Sequence, residues 1–196
     1  MADSISLIRK HVVSKIKKME TGQSDSAVRA ELAKLRRGVG KKPGDDPTLW
    51  GVVFEGLPEQ LLGRTSEPSN AEWAIYTALT LYALHQQGKS PKTDSMHSGG
   101  VTLGKAMRRL VAPMKDESRV KRRFDALATS GSLEELANHA RGLIKLLGGN
   151  GIPLDYADFA EDLYWYQFSH LRGRVRLKWG RDFYRMEVIE KIDIEE

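Results

Sequence analysis

Residues 70–87, NAEWAIYTALTLYALHQQ, place apolar side chains at almost every position: Trp73, Ala74, Ile75, Tyr76, Ala78, Leu79, Leu81, Tyr82, Ala83 and Leu84. With Ser69 or Asn70 able to cap its start, the segment reads as a helix that is apolar all round. Such a helix has no face to give to water. It belongs at the centre of a bundle, and the rest of the chain must supply the helices around it.

Segments suited to that task lie on both sides. Ser24 or Asp25 caps a helix with Ala27, Val28, Leu32 and Leu35 on one face, closed by Gly38. The following stretch, with Pro43, Gly44 and Pro47, reads as a packing arm with brief helices near Trp50 and Leu61. Residues 88–100, GKSPKTDSMHSGG, read as a long exposed loop between two halves, one suited to ordering on binding. Leu103, Met107, Leu110 and Val111 mark a helix stopped by Pro113, and Asp116 caps the next, with Val120, Phe124 and Leu127 inward. Ser132 and Glu135 form a capping-box pattern ahead of Leu133, Leu136, Ala140, Leu143 or Ile144, and Leu147, in a helix closed by Gly148. Asp155 caps a last long helical region carrying Tyr156, Phe159, Leu163, Tyr166, Trp179 and Phe183. Within it RVRLKW alternates basic and apolar residues as a strand would, but no partner strand exists elsewhere, so residues 174–179 are read as helix. The prediction is an all-α, bundle-like fold of two packed helical lobes, 24–98 and 99–196. A basic amphipathic helix or extension over 1–23, frayed at the surface, precedes them.

Charge along the chain is segregated. Residues 1–42 carry +7, residues 105–123 carry +6 and residues 170–185 carry +5, leaving −13 for the remainder of a chain whose net charge is +5. A polyanionic partner fits this pattern. KAMRRL contains no acid, so salt-bridge lacing at three- or four-residue spacing does not account for such clusters from within. Arginines dominate at Arg36, Arg37, Arg108, Arg109, Arg119, Arg122, Arg123, Arg172, Arg174 and Arg176, and arginine binds phosphate with two parallel hydrogen bonds. Lys121 and Lys178 complete the candidate nucleic-acid-binding set. Of the four tryptophans, Trp50, Trp73 and Trp165 read as core anchors, whereas Trp179, flanked by Lys178 and Arg181, is a candidate for stacking on bases.

Enzyme readings lack machinery. GGVTLGK at 99–105 has the spacing of a phosphate-binding loop, yet Ala106 stands where a magnesium-binding hydroxyl belongs and no buried strand precedes it. The five histidines are scattered without metal-ligand spacing. Asp155, Asp158, Glu161 and Asp162 fall in the first turns of a helix, where the macrodipole favours negative charge. Cysteine is absent, which removes a thiol nucleophile and a disulfide framework and fits a reducing cytoplasm. Five basic residues interrupt the first apolar stretch, against a secretory signal, and no apolar run reaches membrane-spanning length. No catalytic residue, cofactor or metal site is predicted.

Specific segments carry a further reading. RAELAKLRRG (29–38), DPTLW (46–50), RVKRRFDAL (119–127), LIKLLGGNGIPLDY (143–156) and RLKWGRDFY (176–184) occur in the order seen in the small subunit of the type I-E CRISPR surveillance complex Cascade, and the chain resembles that CasB family. The resemblance implies an all-helical, non-catalytic protein present as two copies in a ribonucleoprotein. Its partners would be the backbone and large subunits of Cascade, the guide RNA, and target DNA including the displaced strand. Its basic surfaces would stabilise the guide–target R-loop. Carried over by position, the implied contacts are Arg36 and Arg37, Arg119, Lys121, Arg122 and Arg123, and Arg174, Arg176 and Lys178, while Arg108 and Arg109 rest on charge alone. Val175, Leu177 and Gly180 break up the basic run near the last tryptophan. Two other readings remain open: a structural subunit whose arginines dock acidic patches on neighbouring proteins, and a helical regulator of duplex DNA, for which no clear helix-turn-helix is present.

Overall fold

Helix α4 (Asn70–His85) runs through the middle of the molecule, and only Asn70, Glu72, Trp73 and Leu84 lie outside its buried set. Its start is a full capping box: Ser69 Oγ accepts from the Glu72 backbone N–H at 3.0 Å, and Glu72 Oε2 accepts from the Ser69 N–H at 2.6 Å. The computed structural model describes residues 2–21 and 24–185. Met1, Gly22, Gln23 and residues 186–196 lie outside it, and with them the ends of the predicted 1–23 and 99–196 segments.

Around α4 stand α1 (Ala2–Thr21), α2 (Asp25–Arg37), α7 (Leu133–Gly149) and α8 (Tyr156–Tyr166). The short α3 (Trp50–Phe54) sits in the arm between α2 and α4, between two 3₁₀ turns at Pro47–Leu49 and Glu59–Leu61. A second layer is formed by α5 (Leu103–Met114), α6 (Glu117–Ala128) and α9 (Arg172–Tyr184). Among the described residues there is no strand, only an isolated bridge between His97 and Leu154. The architecture is all-α, as the sequence predicts.

Four local expectations are corrected. The first helix is not a frayed extension: Ile8, Val12, Ile16 and Met19, three or four residues apart, are fully buried against α8 and α4. The 88–100 segment is tied down without a ligand. The Gln86 side chain donates to the Asp94 carbonyl at 2.7 Å and accepts from the Met96 N–H at 2.8 Å, while Met96 and Ser98 pair with Leu154. The last helical region is two helices, α8 and α9, separated by a 3₁₀ turn at Ser169–Leu171. Pro113 does not stop α5 but lies in its final turn; Lys115, at φ 51°, ends it.

The 174–179 alternation resolves as helix because its apolar residues continue at four-residue spacing. Val175, Trp179 and Phe183 are all buried, and Trp179 stacks on Tyr166 with ring centroids 5.8 Å apart. The phosphate-loop spacing at 99–105 has another cause. Thr102 caps α5, and a Cβ at Gly104 would lie 2.3 Å from the Trp179 carbonyl oxygen, so this glycine permits the close crossing of α5 and α9.

Candidate nucleic-acid interface

Asp116 starts α6 by accepting from the Arg119 backbone N–H at 2.9 Å, and Ser132 starts α7 by accepting from the Glu135 N–H at 3.1 Å. Val120, Phe124 and Leu127 turn one face of α6 into the core. Helical geometry then places Arg119, Arg122 and Arg123 off that face, where they line an open groove of about 490 Å³ against α7. The other wall is Asn138, His139 and Gly142. A Cβ at Gly142 would meet nothing within 4 Å, which leaves bare backbone along that wall.

The three arginines are exposed, and among the described residues none is held in an ion pair. Asp116, whose carboxylate interacts with the charges of Arg119 and Arg122, is engaged in capping. The Arg119 N–H and the Ser118 hydroxyl, with the charges of Arg122 and Arg119, hold its pKa below the usual carboxylate range. Three unneutralised guanidinium groups in one groove have the chemistry to bind phosphate, and Asn138 and His139 are able to add hydrogen bonds.

The rest of the sequence-derived set divides. Arg108 pairs with Glu117 at 3.3 Å and lies over the Phe183 ring, and Lys121 pairs with Asp125 at 2.7 Å. These acids sit in the next helix or just past the basic cluster, so the absence of acids within KAMRRL does not carry over to the fold. Arg109 is also engaged. Arg36 lines a separate groove with Arg29, Lys89 and Lys92, and Arg37 is exposed at the end of α2. Neither joins the α6 group.

On α9 the predicted basic run is split between inside and outside. Arg172 Nε donates to the Tyr166 carbonyl at 2.9 Å, and Arg176 donates to the Tyr166 hydroxyl at 3.1 Å while covering that ring. Lys178 Nζ donates to Asp158 at 2.8 Å and to Asp162 at 2.7 Å. Burial works against the Lys178 charge, but Asp162 and Asp158 outweigh it and hold the ammonium above its ordinary pKa. Lys178 is therefore an internal counter-ion and leaves the candidate set, while Arg174 stays exposed. Trp179 is corrected too: it is 1% exposed, a core residue that cannot stack on a base.

The α8 carboxylates also do more than answer a helix dipole. Asp155 is the cap, Glu161 and Asp158 hold Arg9, and Asp162 accepts from Lys178 and Trp179. Each is engaged by a cation or a donor. No group among the described residues is arranged to hold a metal ion, and no helix there is long and apolar enough to cross a membrane. Sequence reasoning missed Asn138, His139 and Gly142, because their helix carries no basic run and only packing against α6 brings them into the site.

Comparison with known proteins adds a separate line. Residues 31–184 match the family model described as CRISPR-associated protein Cse2. The crystal structure of CasB from Thermobifida fusca is similar at 30% identity and a TM-score of 0.74, over 93% of this chain and 98% of that one. CasB from M. ruber is similar at 19% identity and a TM-score of 0.63, over 89% and 93% of the two chains. A chain from a CRISPR RNA-guided surveillance complex is similar at 22% identity and a TM-score of 0.63, over 91% and 94%. A search of curated proteins gave no match.

Proposed function

The chain belongs to the CRISPR-associated protein Cse2 family, and on that footing we propose that it is the non-catalytic small subunit of an RNA-guided surveillance complex, stabilising the guide–target R-loop and the displaced strand. The observation that carries this reading is the α6–α7 groove, where Arg119, Arg122 and Arg123 stand exposed and unpaired among the described residues. Guide pairing reads sequence in such complexes. Strand exchange is nearly balanced in free energy, so a protein that holds the backbone by charge tips it without reading bases.

Arginines freed of carboxylates suit that task, since each phosphate neutralised releases counterions and makes binding salt-sensitive and sequence-tolerant. Its partners in this reading are the other subunits of the complex, the guide RNA and the target DNA, and its setting is the cytoplasm.

The test is target capture by the assembled complex carrying Arg122→Glu and Arg123→Glu. Capture weakens, with the subunit still incorporated, and the slope of log affinity against log salt for single strands falls by about 0.7 for each phosphate that is no longer neutralised. Unchanged capture with full incorporation overturns the assignment. Lost incorporation means that the groove docks protein instead.

A further inference from the structure

The outward face of α9 carries two parallel rows. Arg174 and Arg181 are seven residues apart, as are Leu177 and Tyr184, so each pair lines up two turns along the helix, about 10.5 Å apart. All four side chains are exposed, Leu177 by 52% and Tyr184 by 62%, and neither arginine is in an ion pair among the described residues. An exposed aromatic ring on a cationic helix face is the combination used to hold unpaired nucleotides, with phosphates on the charges and a base on the ring.

The ring is also held in place. Phe183 meets Tyr184 edge to face with centroids 5.0 Å apart, and Phe183 packs on Phe124 of α6 at 5.7 Å and lies beneath the Arg108 guanidinium. Tyr184 thus follows directly on a residue that packs against α6, the helix that also carries Arg119, Arg122 and Arg123.

We infer that Tyr184 is a base-stacking residue for single-stranded nucleic acid, with Arg174, Arg181 and the exposed Arg185 holding the adjoining phosphates. This rests on the proposed backbone-binding role of the groove and deepens it. Phosphate contact alone does not separate a single strand from a duplex, whereas a stacking platform accepts only bases that have left the helix. Tyr184 takes over the part that sequence reasoning gave to Trp179.

The experiment measures binding of the full-length chain to two fluorescent oligomers of equal length at low salt, oligothymidine and an abasic deoxyribose phosphate. Tyr184→Ala loses about tenfold in affinity for oligothymidine and little for the abasic oligomer, while Tyr184→Phe, which keeps the ring, binds like the wild type. A 2-aminopurine base in the strand is quenched by the wild type and Tyr184→Phe but not by Tyr184→Ala. If Tyr184→Ala weakens both oligomers equally, or neither, stacking is overturned. In that case a loss on both from Arg122→Glu with Arg123→Glu leaves the groove reading standing. If the wild type binds neither oligomer, stacking is overturned, and target capture by the assembled complex alone decides the groove reading.

Discussion

Trp179 Nε1 donates to Asp162 Oδ2 at 2.6 Å, joining α9 to α8 inside the core, while Lys178 Nζ takes the other oxygen of the same carboxylate at 2.7 Å. One aspartate thus fixes two neighbouring α9 residues. Arg9, on Glu161 and Asp158, draws α1 to the same stretch of α8. The critical member of this cluster is Asp162, whose loss strands the indole N–H of a fully buried tryptophan.

Asp162→Ala therefore destabilises the protein by about 3 kcal/mol, since it leaves Lys178 short of one counter-charge and the indole N–H without an acceptor. Trp179→Phe, which removes only the donor and part of the ring, costs about 1–3 kcal/mol. Urea unfolding at pH 8 measures both. A cost near zero for Asp162→Ala means that the cluster contributes nothing net.

Gly104→Ala tests the crossing of α5 and α9. The added methyl meets the Trp179 carbonyl oxygen at 2.3 Å and the Phe183 nitrogen at 2.9 Å, both backbone atoms that move only if a whole helix shifts. The expected loss is about 3 kcal/mol, seen as a lowered Tm. Gly142→Ala, facing open space, leaves Tm unchanged or raises it.

Much of this fold is legible in the sequence because periodicity reports burial directly. The unbroken apolar character of 70–85 places α4 at the centre, and the four-residue spacing of Val175, Trp179 and Phe183 outlasts the strand-like alternation around them. The site is less legible. Lys178 and Arg122 look alike in sequence, and what separates them is that Asp158 and Asp162, 20 and 16 residues earlier, are folded against the lysine. For the same reason Trp179 looks like a stacking residue while Tyr184 draws no attention: exposure depends on which face of α9 meets α5 and α6, and flanking charges do not reveal it.

His85 gives a prediction in pH. The Tyr156 hydroxyl donates to the Leu81 carbonyl at 3.2 Å, so its oxygen accepts from His85 Nδ1, and His85 Nε2 is left buried without a partner. Burial holds the imidazole pKa down at about 4, below the ordinary 6.5. The unfolded chain thus takes up a proton near pH 6.5 that the folded chain refuses until about pH 4, and stability is lost as pH falls through that window, by about 2 kcal/mol at pH 5. Burial of Asp162 raises its pKa and acts in the opposite sense over the same range. The expected signature is therefore a difference: the wild type loses more stability between pH 7 and 5 than His85→Gln does, read from urea midpoints. Equal losses remove His85 from the account.

Arg122 and Lys178 separate binding from architecture. Arg122 is exposed and unpaired among the described residues, so Arg122→Glu changes unfolding free energy by less than about 0.5 kcal/mol and acts on nucleic-acid affinity. Lys178→Met keeps the length of the side chain but leaves Asp158 and Asp162 facing each other without their shared cation, at a cost of about 3 kcal/mol. Where the protein is still folded, at low temperature, its affinity for single strands is that of the wild type. Paired unfolding and anisotropy measurements on the two variants give opposite patterns if Lys178 is an internal counter-ion. A Lys178→Met protein of normal stability and weakened binding returns that lysine to the nucleic-acid surface.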